Sequence, residues 1–123
     1  MASIADFYSI SELYSETERM IRETVREFVD EQFIPKVAGY HREGHFPLEI
    51  IPSLGELGLL GVTVPEEYGG PGLTYFIYGV VMQELERGDS GLRSFSSVQS
   101  SLVMFPILSY GSEEQKKKWL PEL

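Results

Sequence analysis

Apolar residues return along this chain with helical spacing, and no segment shows the strong period-two pattern of a half-buried strand. Ser15, with Glu18 three residues later, makes a capping box. Ile21, Val25, Phe28 and Val29 then line one face, with Glu16, Glu23, Arg26, Glu27 and Asp30 on the other. This helix is expected to run to about Phe33 and stop near Pro35, since proline disfavours the helical region for the residue before it. Residues 39–46 read as loop, and Pro47 suits the first turn of a short helix through Ile50, Ile51, Leu54 and Leu57 that ends near Gly58. Leu59 to Val64 is short, apolar and partly β-branched, and could be extended. Glycine and proline make 65–72 a loop.

A third helix is predicted from about Thr74 to Glu86. Tyr75, Phe76, Ile77, Tyr78, Val80, Val81, Met82 and Leu85 leave it apolar on nearly every face until Glu84, the mark of an interior helix. Residues 88–91 break it, and Asp89 or Ser90 can cap a fourth helix that continues past Ser101 until Pro106 bends or interrupts it. Ser112 with Gln115 opens a last helix, Glu113 to Leu120, with acids in the first turn and Lys116, Lys117 and Lys118 later, the order the helix dipole favours. Two successive helices without an ordinary charged face are too many for a free-standing bundle of this size. Residues 74–111 are therefore expected to pack against another domain or subunit. The fold class read from the pattern is all-α, an up-and-down or orthogonal bundle of about five to six helices, in one domain over residues 1–123.

Composition narrows the function classes. With 42% hydrophobic residues the chain is too apolar for disorder. The 10 Lys+Arg against 19 Asp+Glu give a net charge of −9, which argues against nucleic acid as a partner and against a basic membrane-surface helix. That excess sits in residues 1–70, with 13 acids against 5 bases. The lack of cysteine excludes disulfides, thiolate-bound zinc and thiol nucleophiles, and suits a reducing compartment without fixing one. No basic residue precedes an apolar core at the start, so no secretory signal is read there. The longest uncharged run, 94–112, is nominally long enough for a bilayer, but seven of its residues are serine, so no membrane span is expected.

The fourth helix carries the most chemistry. Arg93, Ser97, Ser101 and Met104 share one stripe, with Ser94 and Ser100 at its edges, and Arg93 is the only charge between Asp89 and Glu113. A lone guanidinium above small side chains can grip a carboxylate or phosphate in a fork and leave room for a slim ligand. Equally, the serines could serve close helix packing while Arg93 pairs with an internal acid such as Asp89. His41, Glu43 and His45 have the wrong order and a helix-breaking Gly44 for a zinc motif, and favour a solvated loop. Gly69, Gly70 and Gly72 could cradle an anion but lack a P-loop ending, so a turn with positive φ is favoured. Trp119 reads as a packing anchor.

The runs Pro65-Glu66-Glu67-Tyr68-Gly69-Gly70, Gly72-Leu73, Asp89-Ser90-Gly91-Leu92-Arg93-Ser94, Ser97-Val98-Gln99-Ser100-Ser101-Leu102-Val103-Met104 and Tyr110-Gly111-Ser112-Glu113-Glu114-Gln115-Lys116, followed by Trp119-Leu120-Pro121, resemble the N-terminal helical domain of acyl-CoA dehydrogenases. Within that family they look most like the glutaryl-CoA dehydrogenases, over residues 12–121 in order. The resemblance implies an FAD-dependent oxidoreductase with a middle β domain and a C-terminal helical domain beyond this chain. The C-terminal part supplies the catalytic glutamate, so no catalytic residue is assigned here and the chain alone is expected to be inactive. The implied substrate is an acyl-CoA thioester, glutaryl-CoA above all, oxidised at its α,β bond and then decarboxylated to crotonyl-CoA or released as glutaconyl-CoA. By motif match Arg93 and Ser97 take the positions that hold the distal carboxylate, and Leu102 one that lines the acyl cavity. Phe105 and Leu92 depart from the histidine and tyrosine more usual in that branch. The resemblance further implies electron-transfer flavoprotein as acceptor, a homotetramer at full length, and a cytoplasmic location in bacteria or the mitochondrial matrix in eukaryotes. The alternatives are another short-chain acyl-CoA dehydrogenase, or a non-enzymatic helical interaction module.

Overall fold

Ser15 caps as its spacing predicts. Its hydroxyl accepts the Glu18 N–H, and the Glu18 carboxylate accepts the Ser15 N–H at 2.7 Å, opening α1 (Glu16–Phe28). In this computed structural model, which describes residues 8–123, the helix does not stop at Pro35. It passes through a π-helical segment, Val29–Phe33, into α2 (Ile34–Glu43) and ends at Gly44. The Ile34 N–H reaches back five residues to the Val29 carbonyl. That wider ring makes room for the proline and puts its missing N–H at the start of a new helical stretch, where it costs little. Residues 39–43, expected as loop, are helical for this reason.

The same device recurs at Pro106. After α5 (Ser90–Ser97) comes a π-helical segment, Val98–Met104, and then α6 (Phe105–Tyr110), with the Phe105 N–H bonded to the Ser100 carbonyl. Each proline thus changes the hydrogen-bond register of its helix without ending it.

Between these rods lie a 3₁₀ turn, Leu48–Ile50, running into α3 (Ile51–Glu56), and the segment 59–64. The latter is a series of turns, not the extended piece its β-branched residues suggested, and no strand forms among the described residues. Its Leu59, Leu60, Val62 and Val64 are buried, while Val62 and Val64 carbonyls accept the N–H groups of Leu73 and Gly72 at 2.9 and 2.8 Å. Residues 65–72 form the expected loop, with Gly69 and Gly72 at φ 89° and 63°, a region in which a side chain is strained.

Thr74 caps α4 (Tyr75–Gly88), which runs alongside α1 in the same direction. Tyr14 meets Phe76 edge-on near one end, and Asp30 meets Arg87 near the other. At Asp89 the chain turns, and α5 returns antiparallel to α4, with Glu86 opposite Arg93 and Tyr78 opposite Ser101. Val25, Val29, Phe33, Leu54, Val81, Leu85 and Leu92 fill the core between these helices, each contributing about 1.5–3 kcal/mol by burial. A second cluster of Val64, Tyr68, Met104 and Leu120 seats α7 (Glu113–Trp119), which opens with the predicted Ser112–Gln115 capping box. Trp119 is not the anchor it looked: a 3₁₀ turn after it sends Leu120 inward and leaves the indole half exposed beneath Lys118.

α4 holds one surprise. Glu84, which ends the apolar run, is 1% exposed, and Arg22, Arg26 and Arg87 all donate to its carboxylate at 2.8–3.0 Å. Arg26 and Asp30, assigned to the outer face of α1 by periodicity, instead face α4 and join this cluster. Burial alone would push Glu84 up, but the three arginines outweigh it and hold the carboxyl below the usual range.

Candidate functional site

The site begins at the corner between α4 and α5. Asp89 has extended backbone, and its Oδ2 accepts the N–H groups of Gly91 and Leu92 at 2.7 and 3.1 Å. This is the cap the sequence offered, and it starts α5 so that Arg93 and Ser97 stand one turn apart on the same face. Arg93 does not pair with Asp89. Its Nε donates to Glu86 Oε2 at 2.7 Å, and Ser90 Oγ donates to the other carboxylate oxygen at 2.6 Å. The Ser90 and Arg93 hydrogen bonds hold Glu86 below the ordinary glutamate range. Arg93 Nη1 reaches Ser97 Oγ at 3.4 Å, a long contact, while Nη2 has no protein partner among the described residues. The side chain is 37% exposed, so these remaining donors face solvent. A guanidinium held at Nε by one carboxylate, with its terminal amine open, can take a second carboxylate.

The π-helical segment redraws the stripe. Ser101 remains on the Arg93 side, where its hydroxyl meets that of Tyr78 at 2.8 Å. Ser100 and Met104 do not, because the wider turn rotates them inward: Met104 is buried, and Ser100 Oγ donates toward the Leu60 carbonyl at 3.0 Å. Ser96, also buried, donates to the Leu59 carbonyl at 2.5 Å. The serines therefore divide between two faces, and the packing expectation holds for Ser96 and Ser100. Ser96 and Ser100 lace the helix to the 59–64 turn, and Ser97 and Ser101 lie along the Arg93 face. Leu102 is turned outward and 70% exposed. A cleft of about 490 Å³ opens between α4 and the π-helical segment, lined by Thr63, Tyr75, Tyr78, Ser100, Ser101 and Phe105, and Leu102 is not among its lining residues. Exposed Tyr75, Leu102, Phe105 and Tyr110 give residues 74–111 the uncovered apolar surface inferred from their composition.

The other motifs settle into structural work. His41 Nε2 lies 2.6 Å from Asp89 Oδ1, and His45 packs against Tyr40. No group of three or more candidate metal ligands occurs among the described residues. In the glycine loop the N–H groups of Gly69, Gly70 and Gly72 bond to the carbonyls of Glu66, Pro65 and Val64. They are spent on the turn and are not presented to an anion, so the loop does not fit a flavin pyrophosphate. Tyr68 pins the loop to α7 by donating to Glu113 Oε2 at 2.8 Å, a bond that pushes the phenol up to about 12.

Two partners escaped sequence reasoning, Glu86 and the Glu84 cluster. Only Glu84 carried a partial signal, an acid inside an apolar run with Arg22 and Arg26 one helical turn apart on another predicted helix, and nothing along the chain said that these would meet.

Against known proteins, residues 15–123 match the family model described as acyl-CoA dehydrogenase, N-terminal domain. The chain is 40% identical over 105 residues to the mitochondrial short-chain specific acyl-CoA dehydrogenase of Bos taurus, covering 85% of this chain and 26% of that protein. It is 42% identical over 105 residues to the (2S)-methylsuccinyl-CoA dehydrogenase of Cereibacter sphaeroides, covering 85% of this chain and 19% of that one. Its fold superposes on a crystal structure of a glutaryl-CoA dehydrogenase from Mycobacterium smegmatis in complex with FADH2, with a TM-score of 0.90 and 45% identity over 95% of this chain and 30% of that one. The chain thus spans about a quarter of the length of the short-chain relative it matches.

Proposed function

The chain belongs to the acyl-CoA dehydrogenase family, as its N-terminal domain, and from that premise we propose that it supplies the acyl-end pocket of a dehydrogenase acting on a short dicarboxylic acyl-CoA, glutaryl-CoA first among them. The observation that carries this reading is Arg93. Among the described residues it is the one cation on a face of small and apolar side chains, oriented by Glu86 and Ser97 and with one guanidinium nitrogen open to solvent. A distal carboxylate would dock on that nitrogen, and on Ser97 once its hydroxyl turns from the Ser94 carbonyl that it now donates to at 3.1 Å, and the methylene chain would lie against the exposed Leu102. Glu86 keeps the guanidinium oriented before substrate arrives, which lowers the ordering cost of binding. Two relatives whose names specify dicarboxylic thioesters, the glutaryl-CoA and methylsuccinyl-CoA dehydrogenases, support the assignment.

In this reading the reaction is α,β-dehydrogenation, with base and flavin supplied outside this chain. FAD, implied by family membership and by the FADH2 complex of the similar structure, would accept the electrons. Electron-transfer flavoprotein as acceptor and assembly as a homotetramer belong to the same proposal. This chain's residues bind and orient the acyl end.

The test is Arg93→Met in the complete protein, with kcat/KM measured for glutaryl-CoA and butyryl-CoA. Stranding a buried carboxylate costs about 3–5 kcal/mol, so glutaryl-CoA turnover should fall roughly 10²–10³-fold. Butyryl-CoA loses only packing, about 1 kcal/mol or less. The similarity to short-chain enzymes favours a second reading, in which Arg93 merely pairs with Glu86. Equal losses on both substrates would establish that one.

A further inference from the structure

Asp89 stands at the junction of three helices, and every polar atom it has is engaged. Its N–H closes α4 on the Leu85 carbonyl at 3.0 Å, and its own carbonyl accepts the Arg93 N–H at 3.1 Å. Oδ2 takes the N–H groups of Gly91 and Leu92, the second and third residues of α5, and Oδ1 meets His41 Nε2 at 2.6 Å. A carboxylate only accepts, so the hydrogen of the last bond sits on Nε2 of His41. His41 belongs to the final turn of α2, 48 residues away in sequence, and is itself largely exposed, whereas the Asp89 side chain is only 15% exposed. One carboxylate thus fixes where α5 starts and ties that start to α2.

The turn so fixed is the one that ends at Arg93. If the cap is lost, residues 90–93 are the first to fray. Fraying there would part Arg93 from Glu86, whose position on α4 is set independently by the buried Glu84 cluster two residues earlier. We propose that Asp89, held by His41, is a positioning residue for Arg93: it acts through the guanidinium and through nothing that touches the reacting carbons. The proposal rests on Arg93 being the carboxylate-binding group.

The experiment uses the complete enzyme and compares kcat/KM for glutaryl-CoA with that for butyryl-CoA, resolved into KM and kcat. The variants are Arg93→Met, Asp89→Ala, Asp89→Asn, His41→Ala and His41→Gln. Asp89→Ala should lower the glutaryl-to-butyryl ratio about tenfold, mainly through KM for glutaryl-CoA. Asn caps as well as Asp, so Asp89→Asn should recover most of the ratio. His41→Ala should lower it about threefold, the worth of one hydrogen bond, and His41→Gln, which keeps a donor, should restore it. If Arg93→Met collapses the ratio and Asp89→Ala leaves it unchanged, or lowers both substrates alike, the positioning role is overturned while the carboxylate reading stands. If Arg93→Met leaves the ratio unchanged, the carboxylate reading itself has failed, and the proposal falls with it. Should Asp89→Ala prevent folding, the His41 pair decides: equal ratios in His41→Ala and wild type overturn the proposal.

Discussion

Replacing Glu84 by Gln tests the least expected feature of the fold. The exchange keeps size and one carbonyl oxygen but turns the other oxygen into an amine. Oε1 now accepts from Arg22 and Arg26, and Oε2 from Arg26 and Arg87, at 2.8–3.0 Å. Whichever way the amide is turned, two arginine donors would face another donor. Losing charge-assisted bonds costs about 1.5–3 kcal/mol each, and breaking a buried ion pair costs about 3–5 kcal/mol. Arg22 and Arg26 retain 24% and 36% of their side-chain exposure and can be partly rehydrated, so the low end applies, about 3 kcal/mol. Hydrogen exchange read by mass spectrometry on the complete protein locates the loss. Amides of α1 and α4 should exchange roughly 10²-fold faster, with α7 unaffected. The same measurement carries a pH signature. Glu84 is held below its ordinary value, so its stabilisation is fully present above the unfolded carboxyl's pKa of about 4.3 and is lost as pH falls through the folded value. The gap between wild type and Glu84→Gln should therefore close in acid. Less than about a fivefold change at neutral pH in α1 and α4 would refute the reasoning, because ~1 kcal/mol is what repacked surface arginines would lose.

Two further outcomes are expected. Ser96→Val should destabilise the domain by about 1–3 kcal/mol, because the Leu59 carbonyl it satisfies would be left buried without a donor; a loss below ~0.5 kcal/mol in urea unfolding would mean another donor reaches it. The chain expressed alone should self-associate through exposed Tyr75, Leu102, Phe105 and Tyr110, as contiguous apolar patches beyond a few hundred Å² seldom stay bare. Sedimentation velocity showing a stable monomer at high concentration would count against an apolar face that needs cover.

Capping boxes at Ser15 and Ser112, the Asp89 cap and the positive-φ loop at 69–72 were legible in the sequence. Each depends on residues within four positions of one another, and local geometry alone decides it. The family was legible for a related reason, since its motifs are contiguous runs. Tertiary structure decided the rest. Proline forbids a regular α-turn, but whether the helix ends or adopts a π turn depends on what its next face can bury; here Val29 and Phe33 at one proline and Met104 at the other have core to enter, so the helices continue. That choice moved Met104 and Ser100 off the Arg93 face, which no fixed 3.6-residue period could foresee. Charge placement was equally beyond reach. Glu84 is tolerable in a core only because Arg22 and Arg26, some sixty residues earlier, converge on it, and Arg93 takes Glu86 in place of Asp89 because the corner at Asp89 aims α5 back along α4. Electrostatic partners are set by distance through space, and the sequence orders only distance along the chain.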